Sequence, residues 1–434
     1  MKKVLIITYY WPPSGGAGVQ RWLKFSKYLP KFGYEPVVLT VDPEKATHPV
    51  KDDSLIYEIP EDLKVYYTST IEPFNYYKRI FKKKQVPYSG FAYGGEYGTK
   101  NIISRFIRGN FFIPDARVGW NRNAIGKVRE LIEDLGIETI ITTSPPHSTQ
   151  LIGLKIKKLF PSIYWIVDLR DPWTDIFYYE KMLHLPFVKK TDKRLEKNVL
   201  LNADLVITVS NHLQKIFKSK VYDEIDKPFE VIYNGYDSFD FTEISEKNDE
   251  SFFTITYTGT ISEVYDISGL ICALKGVANF LKNKIKIRFV GYVCEKWKNA
   301  LEQEFTGNLS FSSHVSHSEA VAEMQQANLL LLVIPRITQC EGIITGKIFE
   351  YLASTRPIIG IGPPKGDASE IIQSTGGGKM FHWHDHVSIE KYILDCATNK
   401  TAQKTNMQKV AEFSRKAQTK RLVELIKNQD KRRE

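Results

Sequence analysis

Residues 3–22 read KVLIITYYWPPSGGAGVQRW. The first eight form an apolar, β-branched run that is too short to cross a bilayer and lacks a small-residue cleavage site, so a buried first strand is expected in place of a signal peptide. A glycine cluster follows, and then the helical pattern VQRWLKFSKYL. Strand, glycine loop and helix start together make an anion-binding corner, because backbone N–H groups at a helix start converge on one place. A dinucleotide clamp would need G-x-G-x-x-G here and an acid near the end of the second strand. Gly16 and Gly18 supply two glycines and Asp42 the acid, but Arg21 stands where the third glycine would pack, and WPPS lengthens the turn. A plain glycine turn and a corner for some other phosphate-bearing ligand are the readings left open.

With 434 residues the chain exceeds the roughly 250 to 300 residues at which single cores stop growing, so two domains are expected. Hydrophobic residues at 42% and aromatics at 12% exclude a disordered chain. The four cysteines, Cys272, Cys294, Cys340 and Cys396, lie too far apart for metal knuckles or redox pairs, and reduced thiols in a cytoplasm fit them. No window reaches 18 uninterrupted apolar residues, so no membrane span is expected.

The net charge of +10 admits nucleic acid, an anionic membrane or phosphate-bearing small molecules as partners. Most lysines are scattered as on a solvated surface. Residues 75–112 differ: Lys78, Arg79, Lys82, Lys83, Lys84, Arg105 and Arg108 interleave with Tyr, Phe and Ile. Such a segment suits an anionic membrane surface, or equally an insertion whose aromatics pack on the domain. No nucleic-acid partner is expected.

Apolar runs alternate with helical patterns along the whole chain. KVLIITYY, EPVVLTVD, ETIITTS, YWIVDLR and ADLVITVS mark strands in the first half; FTITYTG, KIRFVG, LLLLVIP and PIIGIGP mark them in the second. This βαβ rhythm predicts an α/β chain with two mostly parallel sheets, Rossmann-like domains in tandem. The turn at Asn234 and Gly235 in DKPFEVIYNGYDSFDF marks the boundary region, taken between residues 228 and 229. A final helix is expected from about residue 404.

The second half holds the more specific signal, CEGIITGKIFEYLASTRPIIG at residues 340–360. A helix opening with Lys347 and carrying Glu350 can set an ammonium near a diphosphate and a carboxylate one turn on, where it accepts from a ribose diol. Lys347 and Glu350 at i, i+3 could also be a surface ion pair. In FHWHDH, His382, His384 and His386 share a face if extended, but no fourth ligand accompanies them and no metal is expected.

Taken in order, YYWPPSGGAGVQRWLKFSKYL, TTSPPHSTQLIGL, VDLRDPWTD, ADLVITVS, VIYNGYD, ITYTGTIS and GKIFEYLASTRPIIGIGP resemble the retaining glycosyltransferases of the GT-B fold, family four, which build bacterial surface polysaccharides. The resemblance covers nearly the whole chain. It implies two Rossmann-like domains facing each other across a cleft: an acceptor domain over 1–228, joined by a helix over about 404–434 that crosses back to it, and a donor domain over 229–403. It implies transfer from a nucleoside-diphosphate sugar to a saccharide or lipid-linked acceptor, without metal or other cofactor, in the cytoplasm or at the inner face of the bacterial cytoplasmic membrane. It also implies the roles of single residues: Glu350 at the ribose; Thr345, Gly346 and Lys347 at the diphosphate; Gly259 and Thr260 as backbone donors; Val315 at the base; Gly16 near the donor phosphate. His147 and Asp171, at strand ends, would meet the acceptor or a sugar hydroxyl, with a backbone-bonded histidine and a structural ion pair as the plainer readings.

Two departures stand out. Glu341 and Glu350 are separated by eight residues where the family carries seven, which bears on Glu341 as the acid at the sugar. TGTISEVYD lacks the family's Arg and Lys, leaving Lys347 or Arg336 to supply the charge. A nucleotide-sugar epimerase of the same fold and a catalytically silent nucleotide- or lipid-binding scaffold are the alternatives.

Overall fold

The computed structural model describes the chain except residues 49, 73–98, 223, 225, 226, 243–250, 306, 307, 313, 314, 401–403 and 434. It divides into two compact units: Met1–Tyr233 with Thr419–Glu434, and Asn234–Gln418.

The first unit is built on seven parallel strands: β1 (Lys2–Ile7), β2 (Tyr34–Val41), β3 (Lys64–Thr68), β4 (Thr139–Ser144), β5 (Tyr164–Leu169), β6 (Leu205–Thr208) and β7 (Phe229–Val231). Their order is β3-β2-β1-β4-β5-β6-β7, with β1 pairing in parallel with both β2 and β4. Val4, Leu5, Ile6 and Ile7 are all fully buried. Helices cover both faces of the sheet, and a strand buried on both faces reads as a continuous apolar run, which is why β1 does not alternate. On one face the helix Ala17–Tyr28 contributes Trp22, Leu23 and Phe25, joined by Leu422, Val423 and Ile426 from the last helix. Three fully buried aliphatic side chains of this kind each add about 1.5–3 kcal/mol.

The second unit repeats the plan with six parallel strands: β8 (Phe253–Thr258), β9 (Ile285–Val290), β10 (Asn308–Ser312), β11 (Leu329–Val333), β12 (Ile358–Ile361) and β13 (Gly378–Phe381). They run in the order β10-β9-β8-β11-β12-β13. In both sheets the order therefore reverses beside the first strand, between β1 and β4 and between β8 and β11. In open α/β sheets ligands bind outside the carboxyl ends of the strands at such a switch point. The glycine loop follows β1 and His147 follows β4; Gly259 follows β8 and the segment leading to Lys347 follows β11.

Two sequence-based boundaries move. The boundary between 228 and 229 falls too early, because Phe229–Val231 pairs with β6 and completes the first sheet. The helix expected from about residue 404 is two helices, Met407–Glu412 and Arg415–Arg433, and the chain rejoins the first unit only at Thr419. The break is held by Tyr236, whose N–H donates to Phe413 O at 3.2 Å and whose carbonyl accepts from Arg415 N at 2.8 Å. Gly235, at φ 67°, permits this approach: a Cβ there would meet Phe413 O at 2.4 Å.

Candidate functional site

At the first unit's switch point the glycine loop is tied down by protein. Gly16 has φ 107° and ψ 159°, and its carbonyl opens the helix by accepting from Val19 N at 3.0 Å. Arg21 explains why the third glycine is missing. Its guanidinium is fully buried, forks onto Asp168 at 3.2 and 3.1 Å, and donates to Ile232 O at 2.9 Å. Asp168 also accepts from Trp22 Nε1 at 2.7 Å and Thr143 Oγ1 at 2.8 Å. The position that a dinucleotide clamp needs empty is thus filled by a buried, bonded ion pair. Asp42 likewise caps its own turn, accepting from Glu44 N at 3.0 Å.

His147 and Asp171 stand differently. His147 stacks on Trp173, with centroids 4.9 Å apart and planes at 13°, and its Nδ1 is buried without a partner among the described residues. Burial, with Lys220 and Arg170 nearby, pushes the imidazole down to about 3, so it is neutral. Asp171 accepts no hydrogen bond among the described residues, because the ion pair of this segment is made by Asp168. Burial raises its carboxyl, offset in part by Arg170. Arg170 donates to Ser144 O at 2.9 Å and lies over Gly18, where a Cβ would come within 2.2 Å of its Nη1. Gly18 serves Arg170, a role that glycine spacing alone did not reveal.

The second unit's switch point gathers Lys347, Glu350, Gly259 and Thr260. Lys347 opens the helix Lys347–Ala353. Its Nζ lies 4.2 Å above the Tyr257 ring and donates to Tyr257 Oη at 2.9 Å, while that hydroxyl donates to Thr260 O at 2.8 Å. Gly259, at φ 110°, makes room: a Cβ would meet Lys347 Nζ at 2.6 Å. Its N–H is already given to Val290 O at 2.8 Å, so close approach and not donation is what this glycine provides. Burial brings the Lys347 ammonium down to about 7, with the Glu350 charge opposing. The surface ion pair at i, i+3 does not form. Glu350 Oε1 instead accepts from His317 Nε2 at 2.9 Å, and the bond to Glu350 raises the imidazole above its ordinary value.

The remaining residues are less gathered. Thr345 Oγ1 is buried and unpartnered among the described residues, and Gly346 precedes Lys347 in helical conformation. Val315 is half-buried just before Ser316, which caps the helix His317–Gln326. Glu341 is exposed in the turn Cys340–Gly342 and accepts no hydrogen bond among the described residues. Arg336 is bound by Asp266 at 3.0 Å and stands 2.9 Å from His384 Nε2. Among the described residues no group of three or more His, Cys, Asp or Glu side chains is placed to hold a metal. Sequence reasoning missed His317 and Tyr257. SHVSHSE drew attention only to Val315, and a tyrosine inside a strand has no spacing signal.

Lys78, Arg79 and Lys82–Lys84 lie outside the described residues. Arg105 and Arg108 sit on the helix Thr99–Phe111, which meets the segment 182–187: Asn110 Nδ2 donates to Leu183 O at 3.0 Å and Leu185 N to Asn110 Oδ1 at 2.7 Å. Around this junction Phe111 is 71% and Phe187 66% exposed, with Ile102, Phe106, Leu183 and Leu185 also exposed. No helix among the described residues is long and apolar enough to cross a membrane.

No protein-family model and no curated protein sequence matches the chain. Solved structures do. The trehalose-6-phosphate phosphatase N-terminal domain of Candida albicans superposes with TM-score 0.64 at 13% identity, over 98% of this chain and 96% of that one. An α,α-trehalose-phosphate synthase (UDP-forming) of Burkholderia vietnamiensis gives 0.63 at 9%, over 99% and 100%. HepE of Anabaena in complex with UDP gives 0.62 at 14%, over 99% and 100%. At such identities the likeness shows the fold: two Rossmann-like domains of the GT-B class.

Proposed function

We propose that the chain is a glycosyltransferase that binds a nucleoside-diphosphate sugar on its second unit and passes the sugar to a saccharide or lipid-linked acceptor of surface polysaccharide assembly. The observation that carries this reading is Lys347: a half-buried ammonium, lowered to about 7, laid over Tyr257 against a glycine at the sheet's switch point. A half-buried cation whose one hydrogen bond among the described residues goes to a phenol is poorly compensated, and a diphosphate would supply what it lacks. The UDP bound by the Anabaena structure of the same fold supports this ligand class.

In the reaction proposed, the bond from the sugar's anomeric carbon to the diphosphate oxygen breaks as the acceptor oxygen bonds to that carbon on the same face. The acceptor's proton passes to the departing phosphate. Lys347 stabilises the charge that develops there, so no metal is required. Glu350 holds the ribose, Thr345, Gly346, Gly259 and Thr260 border the phosphates, and Val315 borders the base. Glu341, which accepts no hydrogen bond among the described residues, meets the sugar's hydroxyls. Gly16 approaches the donor phosphate, Asp171 orients the acceptor hydroxyl, and neutral His147 offers its unpartnered Nδ1 to a hydroxyl. The exposed aromatics of Thr99–Phe111 and of 182–187, with exposed Lys181, Lys190 and Lys193, suit the anionic inner face of a bacterial cytoplasmic membrane.

The test is thermal stabilisation by nucleoside diphosphates and their sugar conjugates in EDTA, since a ligand that binds only the folded state raises the melting temperature. One nucleotide class is expected to stabilise the chain, and Lys347→Ala to abolish the shift. Absence of any shift would overturn the reading in favour of a scaffold.

A further inference from the structure

We infer that His317 is the positioning residue of the nucleotide site, holding the Glu350 carboxylate away from Lys347 so that acid and ammonium serve different parts of one ligand. The inference rests on the reading that Glu350 accepts from the ligand's ribose.

Lys347 and Glu350 are three residues apart on one helix, a spacing at which opposite charges ordinarily pair. They do not pair here, because each is drawn elsewhere. Lys347 reaches back to the Tyr257 hydroxyl and Glu350 reaches to His317, the first residue of the helix His317–Gln326. Since a carboxylate only accepts, the imidazole donates Nε2–H to Oε1, at 2.9 Å. Oε2 accepts no hydrogen bond among the described residues, and the Glu350 side chain is 15% exposed, so this oxygen is open to a ligand hydroxyl.

The histidine has a second acidic neighbour. Its Nδ1 stands 4.0 Å from Asp240 Oδ2, beyond hydrogen-bond length but close enough for charge to matter. The charged groups facing the ring are Glu350, Asp240 and Arg415; the two acids favour the imidazolium, Arg415 opposes it, and the bond to Glu350 dominates. An imidazolium at this place also offsets the Glu350 charge, which would otherwise repel an arriving diphosphate. Without His317, Glu350 is free to turn onto Lys347, and the site would lose its fixed acceptor and part of its cation together.

A merely structural histidine would not affect discrimination between ribose and deoxyribose. UDP, GDP and ADP, each paired with its 2′-deoxy counterpart, serve as probes in calorimetric titrations of the full chain. The wild type is expected to prefer the ribonucleotide by about tenfold, the scale of one hydrogen bond to a charged group. His317→Ala should erase the preference, and His317→Gln, which retains an N–H donor at similar reach, should keep most of it. Histidine ring NMR supplies a ligand-free arm: the His317 titration should lie above its ordinary value in the wild type and fall in Glu350→Gln. An unchanged preference in His317→Ala, or a His317 titration indifferent to Glu350→Gln, overturns the inference. If Glu350→Gln itself keeps the preference, the ribose reading has failed, and this inference fails with it.

Discussion

The two units share the order of their first six strands and place a glycine loop after the first, yet the Arg21–Asp168 pair and Lys347 treat charge in opposite ways. In the first, Arg21 and Asp168 sit fully buried and bonded to each other, and Ile232, Trp22 and Thr143 complete the pair. In the second, Lys347 meets, among the described residues, a tyrosine hydroxyl and ring, and burial lowers its proton affinity. A satisfied buried pair specifies structure, whereas an under-compensated charge at a switch point supports the proposed diphosphate site. The glycine-rich loop that catches the eye in the sequence thus lies beside the sealed Arg21–Asp168 pair, and GKIFEYL carries the proposed donor site.

The contrast predicts effects of different kinds. The largest in stability belongs to the first unit: Asp168→Ala strands the Arg21 guanidinium in the core and should cost about 3–5 kcal/mol in denaturant unfolding. Loss of well under 1 kcal/mol would mean that the pair is not sealed. In the second unit the largest effect is on turnover. Lys347→Ala should lower transfer by at least about 100-fold, the usual scale for removing one preorganised charge contact, and Glu350→Ala by about tenfold or more, the scale of one hydrogen bond to a charged group, with circular dichroism unchanged; normal turnover by either would remove that residue from the site.

A smaller effect has the opposite sign. Lys347→Met keeps the stem and removes a charge that burial disfavours, so it should raise stability by about 1 kcal/mol while abolishing stabilisation by nucleotide. A fall in stability would show that the ammonium is well compensated after all. The weakest effect concerns the surface: Phe111→Ser with Phe187→Ser should reduce co-sedimentation with phosphatidylglycerol vesicles severalfold at low salt, and unchanged binding would dismiss that face as a membrane contact.

Most of the fold was legible because buried parallel strands read as apolar runs and helices as periodic ones. The four edge strands β3, β7, β10 and β13 escaped: they are three to five residues long, β3 and β10 are partly exposed, and β7 adjoins the turn that marked the boundary. The final helix was read as unbroken because the interruption near Phe413 depends on Tyr236, far away in sequence. At the site, Lys347 and Glu350 stood out through spacing and resemblance, but their partners did not. Tyr257 looks like any strand aromatic and His317 like any polar residue at a helix start. Gly259 was expected to donate its N–H, yet that group belongs to the sheet, and only the nearness of Lys347 Nζ gives the glycine its purpose.

The central claim is that Lys347 waits, partly unprotonated, for a diphosphate. Calorimetry of nucleoside-diphosphate binding at pH 7.5, in two buffers of different ionisation enthalpy, tests it most directly. An ammonium lowered to about 7 in the free protein is mostly neutral at that pH, and a bound anion raises its proton affinity. Binding should therefore take up a sizeable fraction of a proton at pH 7.5 and progressively less towards pH 6, where the ammonium is already charged; Lys347→Met should remove the uptake. Binding with no net proton uptake at pH 7.5, or uptake that survives in Lys347→Met, would contradict the account.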